Sequence, residues 1–402
     1  MNHVHENNKC LACGSNNIHT TLDLSTQPLA NSYKKSVTDA EERYPLAVGL
    51  CHDCYHLQLS HTVDPEIIYK NYLYATGTNN TIKEYSKWFA KFCSEYLPGS
   101  SSVLDIGCND GTQLDYFKEL GFNTYGIDPA ENLHNRSSAN HFVVCDFFGP
   151  AAVDQLVTTD YNIITAQNVC AHNPNPLEFL KSCRDLMREN TLLFVQTSQA
   201  DMVLHNEFDT IYHEHVNFFN ANSMFKLAQR SGLNLIDVVK TPIHGNSYIF
   251  VLSLQNSRPH HVQNIIAMEA PLLKQSTYQV WRDTVESTMS ALKLHINQYR
   301  EQGYLLVGYG AAAKGNTLLN YASIDLDFIV DDNPLKQGLY TPGRSISITG
   351  IDKVSNLTDQ DRVVFIPLAW NFFDEIRNRI VNVRKHDLDV FLRYFPTVEV
   401  VK

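Results

Sequence analysis

The fold of this chain is decided by the stretch Val103-Leu104-Asp105-Ile106-Gly107-Cys108-Asn109-Asp110-Gly111. The apolar run up to Ile106 predicts a buried strand that stops at a tight turn on Gly107. After Gly111, apolar residues return at helical spacing and predict a helix over 113–120. Glycines in such a turn let a ligand approach the backbone closely, at the positive end of the helix. The stretch therefore predicts strand, glycine turn and helix around a bound ligand.

The acidic residues near this turn indicate which ligand it binds. The next predicted strand, 123–127, ends in Asp128, which is placed to accept the hydroxyls of a ribose. A dinucleotide fingerprint needs three glycines, whereas this turn has only Gly107 and Gly111. The carboxylates of Asp105 and Asp110 would repel a pyrophosphate and suit a cationic amino-acid group. S-adenosylmethionine (SAM) is therefore favoured over NAD, and the alternative is an α/β domain in which these acids merely cap loops.

Alternating strands and helices continue to residue 196 and predict a doubly wound parallel sheet. Residues after the carboxyl ends of such strands line the ligand crevice. Asp146 and Phe147 follow the third strand and are expected to contact an adenine through its amino group and its ring. Asn168 and His172 follow the fourth strand. The predicted cofactor-binding residues are Asp105, Gly107, Asn109, Gly111, Asp128, Asp146, Phe147 and Asn168.

Composition excludes several classes of protein. The 402 residues are 44% hydrophobic, enough for two or three domains with large cores. The formal net charge of −11 counts against nonspecific nucleic-acid binding, which needs a basic surface. No apolar run approaches the ~20 residues of a membrane span, and the N-terminus has no hydrophobic signal core. We therefore expect a cytoplasmic protein that binds neither nucleic acid nor membrane. We also expect it to be a monomer.

Two pairs of cysteines near the N-terminus predict a metal site. Cys10 and Cys13 form one C-x-x-C knuckle, and Cys51 and Cys54 form the other. Two such pairs complete a tetrahedral zinc site with no open position, so the ion is expected to be structural. The segment between the knuckles is longer than the usual ~15–20 residues, and it must form an insertion.

Two further segments carry polar and aromatic groups. The tyrosine-rich segment 69–78 precedes the cofactor domain and is interpreted as a lid or pocket wall. The segment Tyr212-His213-Glu214-His215 is the densest functional chemistry in the chain. Whether it is helical or extended, an imidazole and a phenol can reach one cleft, and histidine is the natural general base near neutral pH. The alternative is a polar turn before a helix at 223–231.

The C-terminal half repeats the strand, glycine turn and helix pattern at 304–317. Small residues and a lysine at the start of a helix suit phosphate groups. This part of the chain is interpreted as a second Rossmann-like domain, either binding the nucleotide portion of a substrate or serving only as a structural duplicate. The predicted domains are a zinc-binding module with the lid (1–75), a SAM methyltransferase domain (76–255) and the second Rossmann-like domain (256–402).

Taken in order, these motifs resemble the nucleotide-sugar C-methyltransferases, especially the C-3′-methyltransferases of branched deoxysugar biosynthesis. The resemblance covers nearly the whole chain, and it rests on the cysteine knuckles, 72–78, 105–111, 212–215, His244-Gly-Asn-Ser247 and 308–315. It implies zinc, SAM and a dTDP- or GDP-linked 4-keto-6-deoxy sugar that is methylated on C3. It implies catalytic roles for His215 as the base and for Tyr212, Glu214, His172 and Tyr74 around it, with Tyr72 competing for the place of Tyr74. The substrate-binding residues are then Tyr72, Thr76, His244, Asn246, Ser247, Tyr309, Lys314 and Asn316.

Two other functions remain open from the sequence. An O- or N-methyltransferase acting on a sugar nucleotide would need a base but no ketone in its substrate. A non-catalytic zinc-ribbon interaction protein would have lost the ability to bind SAM.

Overall fold

The computed structural model describes residues 3–69, 80–156, 160–197, 200–241, 247–358, 360–386 and 388–401. The chain divides into two compact units, and each is built from three separate segments. The first unit comprises Met1–His19, Gly49–Ala200 and Glu214–Lys274, and the second comprises Thr20–Val48, Asp201–His213 and Gln275–Lys402.

The N-terminal part of the chain is mostly strand. Its elements are β1 (Val4–Glu6), β2 (Ile18–Gln27), β3 (Tyr44–Cys51), β4 (Leu57–Leu59) and β5 (His61–Val63). Strands β1 and β5 pair antiparallel. The insertion predicted between the cysteine knuckles contains β2 and most of β3.

The first unit is organised around a seven-stranded sheet. After helices α1 (Pro65–Tyr69) and α2 (Asn80–Tyr96), strands and helices alternate as β6 (Ser102–Ile106), α3 (Thr112–Glu119), β7 (Asn123–Ile127), α4 (Glu131–Ser137), β8 (Phe142–Val144), α5 (Pro150–Leu156), β9 (Ile163–Gln167), α6 (Pro176–Leu186) and β10 (Leu192–Thr197). The unit continues with β11 (Asn217–Phe218), α7 (Ala221–Ser231), β12 (Asn234–Thr241), β13 (Ser247–Ser253) and α8 (Pro259–Met268). Strand β11 pairs antiparallel with β4.

The strand order in the large sheet is β8-β7-β6-β9-β10-β13-β12. Strands β6 to β10 run parallel, and β13 runs antiparallel to both of its neighbours. Leu104 and Ile106 belong to one buried core, and Val103 belongs to another. Because successive side chains of a strand point to opposite faces, β6 is covered on both sides, as the central strand of a parallel sheet should be. The predicted Rossmann-like fold is confirmed.

The second unit contains a six-stranded sheet of order β16-β15-β14-β17-β18-β19. Its elements are α9 (Gln275–Glu301), β14 (Leu305–Tyr309), α10 (Ala313–Ala322), β15 (Phe328–Val330), β16 (Ile348–Thr349), α11 (Asp352–Ser355), β17 (Val363–Pro367), α12 (Phe373–Arg384), β18 (Val390–Arg393) and β19 (Glu399–Val401). All of these strands are parallel except the edge strand β19. This sheet is the predicted second Rossmann-like fold.

Early segments of the chain complete the second unit. Nδ2 of Asn316 donates to the carbonyl oxygen of Ala30 at 2.8 Å. Trp370 Nε1 donates to Oδ2 of Asp209 at 2.7 Å. Segments distant in sequence are therefore joined by polar contacts within this unit.

The segment Tyr212 to His215 forms a turn and is neither helix nor strand. The boundary between the two units falls between His213 and Glu214. In the described part of the chain, every helix is too short or too polar to cross a bilayer.

Candidate active site

A cavity of about 1180 Å³ opens at the carboxyl ends of strands β6, β7, β9 and β10 in the first unit. This volume exceeds the ~300–1,000 Å³ of an ordinary small-molecule pocket. It can therefore admit a nucleoside-sized cofactor together with part of a second molecule. The lining residues that the argument below uses are Asp105, Gly107, Asn109, Gln113, Asp128, Phe147, Gln167, Asn168, Val169, His172 and Gln196.

The glycine turn forms one wall of this cavity. Gly107 has φ +74°, a conformation that disfavours any residue with a Cβ, and a Cβ built there would lie 2.4 Å from Cγ2 of Val169. Gly111 has φ +82° and is the N-cap of α3. Glycine is thus required at both positions, and at Gly107 the reason is both the backbone conformation and the close approach of the loop after β9.

Asp110 braces the turn and is not available to a ligand. Its Oδ2 receives a hydrogen bond from Nη1 of Arg136 at 2.5 Å, and its Oδ1 receives one from Oγ1 of Thr112 at 2.7 Å. The side chain of Asp110 is fully buried. Arg136 already neutralises Asp110. Of the two acids expected to attract a cationic ligand group, only Asp105 is therefore left to do so.

Asp105 is a buried carboxylate on β6 that has no cationic partner among the described residues. Its Oδ1 accepts a hydrogen bond from Oγ1 of Thr165 at 2.6 Å. Burial raises the pKa of Asp105 from 3.8 to about 7, although the Thr165 hydrogen bond opposes the shift. A positively charged ligand group beside Asp105 would stabilise the ionised form, because opposite charges lower the pKa of an acid.

Asp128 lies at the tip of β7, where the sequence placed a ribose-binding acid. Its two oxygens accept hydrogen bonds from the backbone nitrogens of Asn109 and Ala130, each at 2.8 Å. Burial raises the pKa of Asp128. The two bonds fix the carboxylate against the glycine turn, and each oxygen keeps a second acceptor position for a hydroxyl.

The other predicted cofactor-binding residues differ in their placement. Phe147 lines the cavity with an exposed ring, as a stacking residue would. Asp146 is exposed, lies outside the lining set, and accepts a hydrogen bond from the backbone nitrogen of Phe147 at 2.7 Å. Asn168 lines the cavity and has φ +56°. Its backbone nitrogen donates to the backbone carbonyl of Gln196 at 2.8 Å.

Three glutamines in the cavity wall were missed by the sequence reasoning. Nε2 of Gln167 donates to Oε1 of Gln113 at 3.0 Å, and Nε2 of Gln113 donates to the carbonyl of Ser86 at 3.0 Å. The third, Gln196, lies near the end of β10. The sequence offered one sign of Gln167 and Gln196: each is a polar residue at or near the carboxyl end of an apolar parallel strand. That end of the strand faces the ligand crevice.

The predicted histidines take separate places. His172 lines the cavity, and its ring lies 5.0 Å from the ring of His215, centroid to centroid, at an angle of 31°. Burial lowers the pKa of His172 to about 4, so its ring is neutral near neutral pH. His215 and Glu214 are buried at 8% exposure each. The ring of His215 therefore lies next to the cavity-lining ring of His172.

The two preceding residues of this segment belong to the second unit. His213 is buried there, with its Nε2 3.4 Å from the carbonyl oxygen of Tyr44, and burial lowers its pKa to about 4. Tyr212 is half-buried.

The predicted substrate residues of the second unit mostly contact the protein itself. The hydroxyl of Tyr309 donates to Asp332 at 3.1 Å. Asn316 is buried and donates to Ala30 as described above. Nζ of Lys314 lies 5.2 Å from the centroid of the Trp370 ring.

Ser247, at the start of β13, is 1% exposed. The remaining predicted residues, Tyr72, Tyr74, Thr76, His244 and Asn246, lie outside the described residues.

The residues of the cavity fit SAM. Asp105 presents a carboxylate, Asp128 keeps acceptor positions for a ribose, and the glycine turn brings the backbone to the ligand. Among the described residues, neither Asp105 nor Asp128 forms an ion pair that would compete with a cationic ligand.

The four cysteines fit a zinc ion. The sulfur atoms of Cys10, Cys13, Cys51 and Cys54 all lie within 4.8 Å of one another. The Cys10–Cys54 and Cys13–Cys51 separations are 3.5 and 3.6 Å. A tetrahedral ion with Zn–S bonds of ~2.3 Å would place its ligands about 3.8 Å apart.

Three family models match successive parts of the chain. They are a putative zinc-binding domain at 10–69, a methyltransferase domain at 79–238 and a C-methyltransferase C-terminal domain at 242–396. The chain is similar to the C-methyltransferase NovU of Streptomyces niveus, with 26% identity over 92% of this chain and 91% of that protein. It is also similar to a ubiquinone biosynthesis O-methyltransferase of Glaesserella parasuis serovar 5, with 33% identity over 24% of this chain and 44% of that protein.

Similar solved structures include a SAM-dependent methyltransferase from Clostridium acetobutylicum, with a TM-score of 0.36 and 12% identity over 45% of this chain and 94% of that one. Another is the Burkholderia thailandensis 1,6-didemethyltoxoflavin-N1-methyltransferase, with a TM-score of 0.34 and 16% identity over 44% of this chain and 81% of that one. The predicted cofactors, SAM and a structural zinc ion, are confirmed.

Proposed function

We propose that this chain methylates C3 of a nucleotide-linked 4-keto-6-deoxy sugar. The proposal is supported by the ordered matches to a zinc-binding domain, a methyltransferase domain and a C-methyltransferase C-terminal domain, and by the similarity to the C-methyltransferase NovU over 92% of the chain. The product would serve the biosynthesis of a branched sugar. The family matches support methyl transfer from SAM to a small molecule. The sugar substrate and the enolate mechanism are the proposal.

The observation that carries this proposal is the histidine pair at the cavity. His172 faces the cavity and His215 lies against it, ring to ring, at 5.0 Å. Because His172 stays neutral near neutral pH, it does not repel the imidazolium that would form on His215. The arrangement supports His215 as the general base, with His172 as its neighbour.

Carbon is a poor nucleophile unless a carbonyl lies beside it. A C4 ketone acidifies the C3 hydrogen, and His215 would remove that hydrogen as a proton. The electron pair of the C–H bond then moves into an enolate, whose oxygen needs a hydrogen-bond donor. Tyr212 and Tyr74 are the phenols assigned to this role, and Glu214 is assigned to orient the base. SAM, when bound, supplies an electrophilic methyl group on a sulfonium.

The second unit is proposed to bind the nucleotide of the substrate, either dTDP or GDP. Lys314 at the start of α10 is the residue assigned to a phosphate, because a lysine and the positive helix end both favour an anion. Tyr309 and Asn316 would shape the same crevice. The predicted division of the chain at residues 75 and 255 belongs to this proposal.

The proposal is tested by incubating the purified chain with SAM and a panel of dTDP- and GDP-linked 4-keto-6-deoxy sugars. NMR of the product should place the new methyl group on C3. In D2O without SAM, the recovered substrate should carry deuterium at C3. A methyl group on oxygen or nitrogen without deuterium exchange would refute carbon methylation, and an absence of SAM binding in calorimetry would indicate a non-catalytic protein.

A further inference from the structure

Gln196 lines the cavity and carries a buried amide donor that has no acceptor among the described residues. The residue is 1% exposed and lines the cavity, and its Nε2 has no hydrogen-bond partner in the described part of the chain. The neighbouring glutamines Gln167 and Gln113 differ, since each donates its amide hydrogen to a protein oxygen. A buried amide donor without an acceptor is unfavourable, so a ligand oxygen is the expected partner.

The backbone of Gln196 is fixed on both sides. In the sheet register it lies opposite Gln167 on β9 and opposite Ile249 on β13, and its carbonyl accepts a hydrogen bond from Asn168. A side chain on a central strand is held more precisely than one on a loop. This rigidity suits a group that must meet a charge as it develops.

The strand order identifies which ligand Gln196 faces. The acids assigned to the cofactor lie on β6 and β7, whereas β10 is two strands from β6 on the side away from β7. With strands spaced by about 4.8 Å, β10 lies roughly 10 Å from the strand of Asp105 and still farther from that of Asp128. Gln196 therefore belongs to the part of the cavity left for the methyl acceptor.

We propose that Nε2 of Gln196 donates a hydrogen bond to the ketone oxygen of the methyl acceptor and stabilises that oxygen as the enolate forms. This inference rests on the proposed function. The base takes the proton from carbon, the C–H electron pair forms the C–C double bond, and the carbonyl π pair moves to the oxygen that Gln196 contacts. When the new C–CH3 bond forms, the enolate returns to a ketone, and the S–CH3 bond breaks to leave a neutral sulfide. An amide N–H can only donate, which matches a ketone oxygen that can only accept.

The experiment compares the full-length protein with Gln196→Met, which keeps the length of the side chain and removes the N–H group. In D2O without SAM, exchange of the acceptor C3 hydrogen should fall ~10²–10³-fold, the loss typical of removing an oxyanion donor. Turnover with SAM should fall by a similar factor, while the Kd for SAM from calorimetry should stay within about twofold. Gln255→Met is the matched control, since Gln255 is exposed outside the cavity lining and its side-chain amide donates to Oε1 of Glu189 at the surface.

Unchanged exchange in Gln196→Met would overturn the inference, whether SAM binding is kept or weakened, because Gln196 would then serve the cofactor or the fold. If Gln196→Met fails to fold, Gln196→Glu replaces it, since a carboxylate has nearly the same shape and accepts where the amide donates. Its exchange should be at least as slow, and normal exchange in that variant would also overturn the inference. Failure of the proposed function is recognised separately, because the unmodified protein would then neither exchange nor methylate the panel.

Discussion

Replacing Gly107 with alanine tests how closely the loops around the cavity pack. The residue has φ +74°, and the new Cβ would lie 2.4 Å from Cγ2 of Val169. No real Cβ tolerates that distance, so either the glycine turn or the loop after β9 has to move. Because both loops line the cavity, the movement would reach the cofactor-binding end.

The cost has two separable parts. A non-glycine residue in the left-handed region costs about 1–2 kcal/mol. Overpacking against Val169 adds about 1–3 kcal/mol. In a Val169→Ala background Cγ2 is gone, and the next contact of the new Cβ, with the Cβ of residue 169, is an ordinary 3.8 Å. We therefore expect Gly107→Ala to cost about 2–5 kcal/mol in the natural background and only the backbone part, about 1–2 kcal/mol, beside Ala at 169.

Native-state hydrogen exchange is the suitable assay, because it reports the opening free energy of amides in β6 without assuming that the whole chain unfolds in one step. The four proteins of the double-mutant cycle should give a coupling of about 1–3 kcal/mol between positions 107 and 169. Additivity within about 0.5 kcal/mol would refute the packing argument, since the two side chains would then not compete for space.

Four further outcomes are expected. Binding of a cationic group needs the ionised carboxylate of Asp105, whose pKa is raised to about 7. SAM affinity measured by calorimetry should therefore weaken about tenfold for each pH unit below about 7. Asp105→Asn should bind SAM weakly and without this pH dependence. Since the folded protein raises that pKa above 3.8, Asp105 should destabilise the SAM-free protein increasingly from pH 4 to 7, so Asp105→Asn should melt at a higher temperature at pH 8. Cys51→Ser should lose the zinc measured by elemental analysis, and hydrogen exchange in 10–60 should accelerate, because the closed site stabilises its module. His215→Asn should lower turnover at least ~10²-fold and leave the Kd for SAM unchanged.

Matched variants separate these effects from general damage. Asp154→Asn removes an exposed carboxylate from the same unit, outside the cavity lining, and it should keep the pH dependence of SAM binding. Cys145→Ser replaces an exposed cysteine outside the metal cluster and should retain zinc. Near-normal methylation by His215→Asn would remove that residue from the mechanism. A flat pH profile for the unmodified protein would show that Asp105 does not contact the cationic group.

Much of the fold was predictable because its signals are local. The run up to Ile106, the glycine turn and the acid at Asp128 each follow from strand burial and turn chemistry, and they define the cofactor crevice. The zinc ligands were predictable because the spacing in each knuckle places two thiolates on one ion. The composition of the two compact units was not predictable, since it depends on contacts between segments far apart in the sequence, such as Asn316 with Ala30.

The site was predictable only where a motif carried its own geometry. The partner of Asp110 could not be identified, because Arg136 reaches the turn from α4, beyond the next strand, and has no motif of its own. The segment Tyr212–His215 could be read as helix, strand or turn, and its turn conformation is fixed by tertiary packing. Gln196 was overlooked because a single glutamine near the end of a strand is an ordinary residue in a sequence. Only the structure shows that its Nε2 has no hydrogen-bond acceptor among the described residues.

The make-up of the second unit has a consequence for synthesis on the ribosome. Its segment at residues 20–48 emerges first, yet Ala30 finds its partner only after Asn316 has been made. Asp209 likewise waits for Trp370. Nascent chains stopped near residue 274 would therefore expose the segments 20–48 and 201–213 without their packing partners. Such chains should be bound by chaperones and cleaved by proteases.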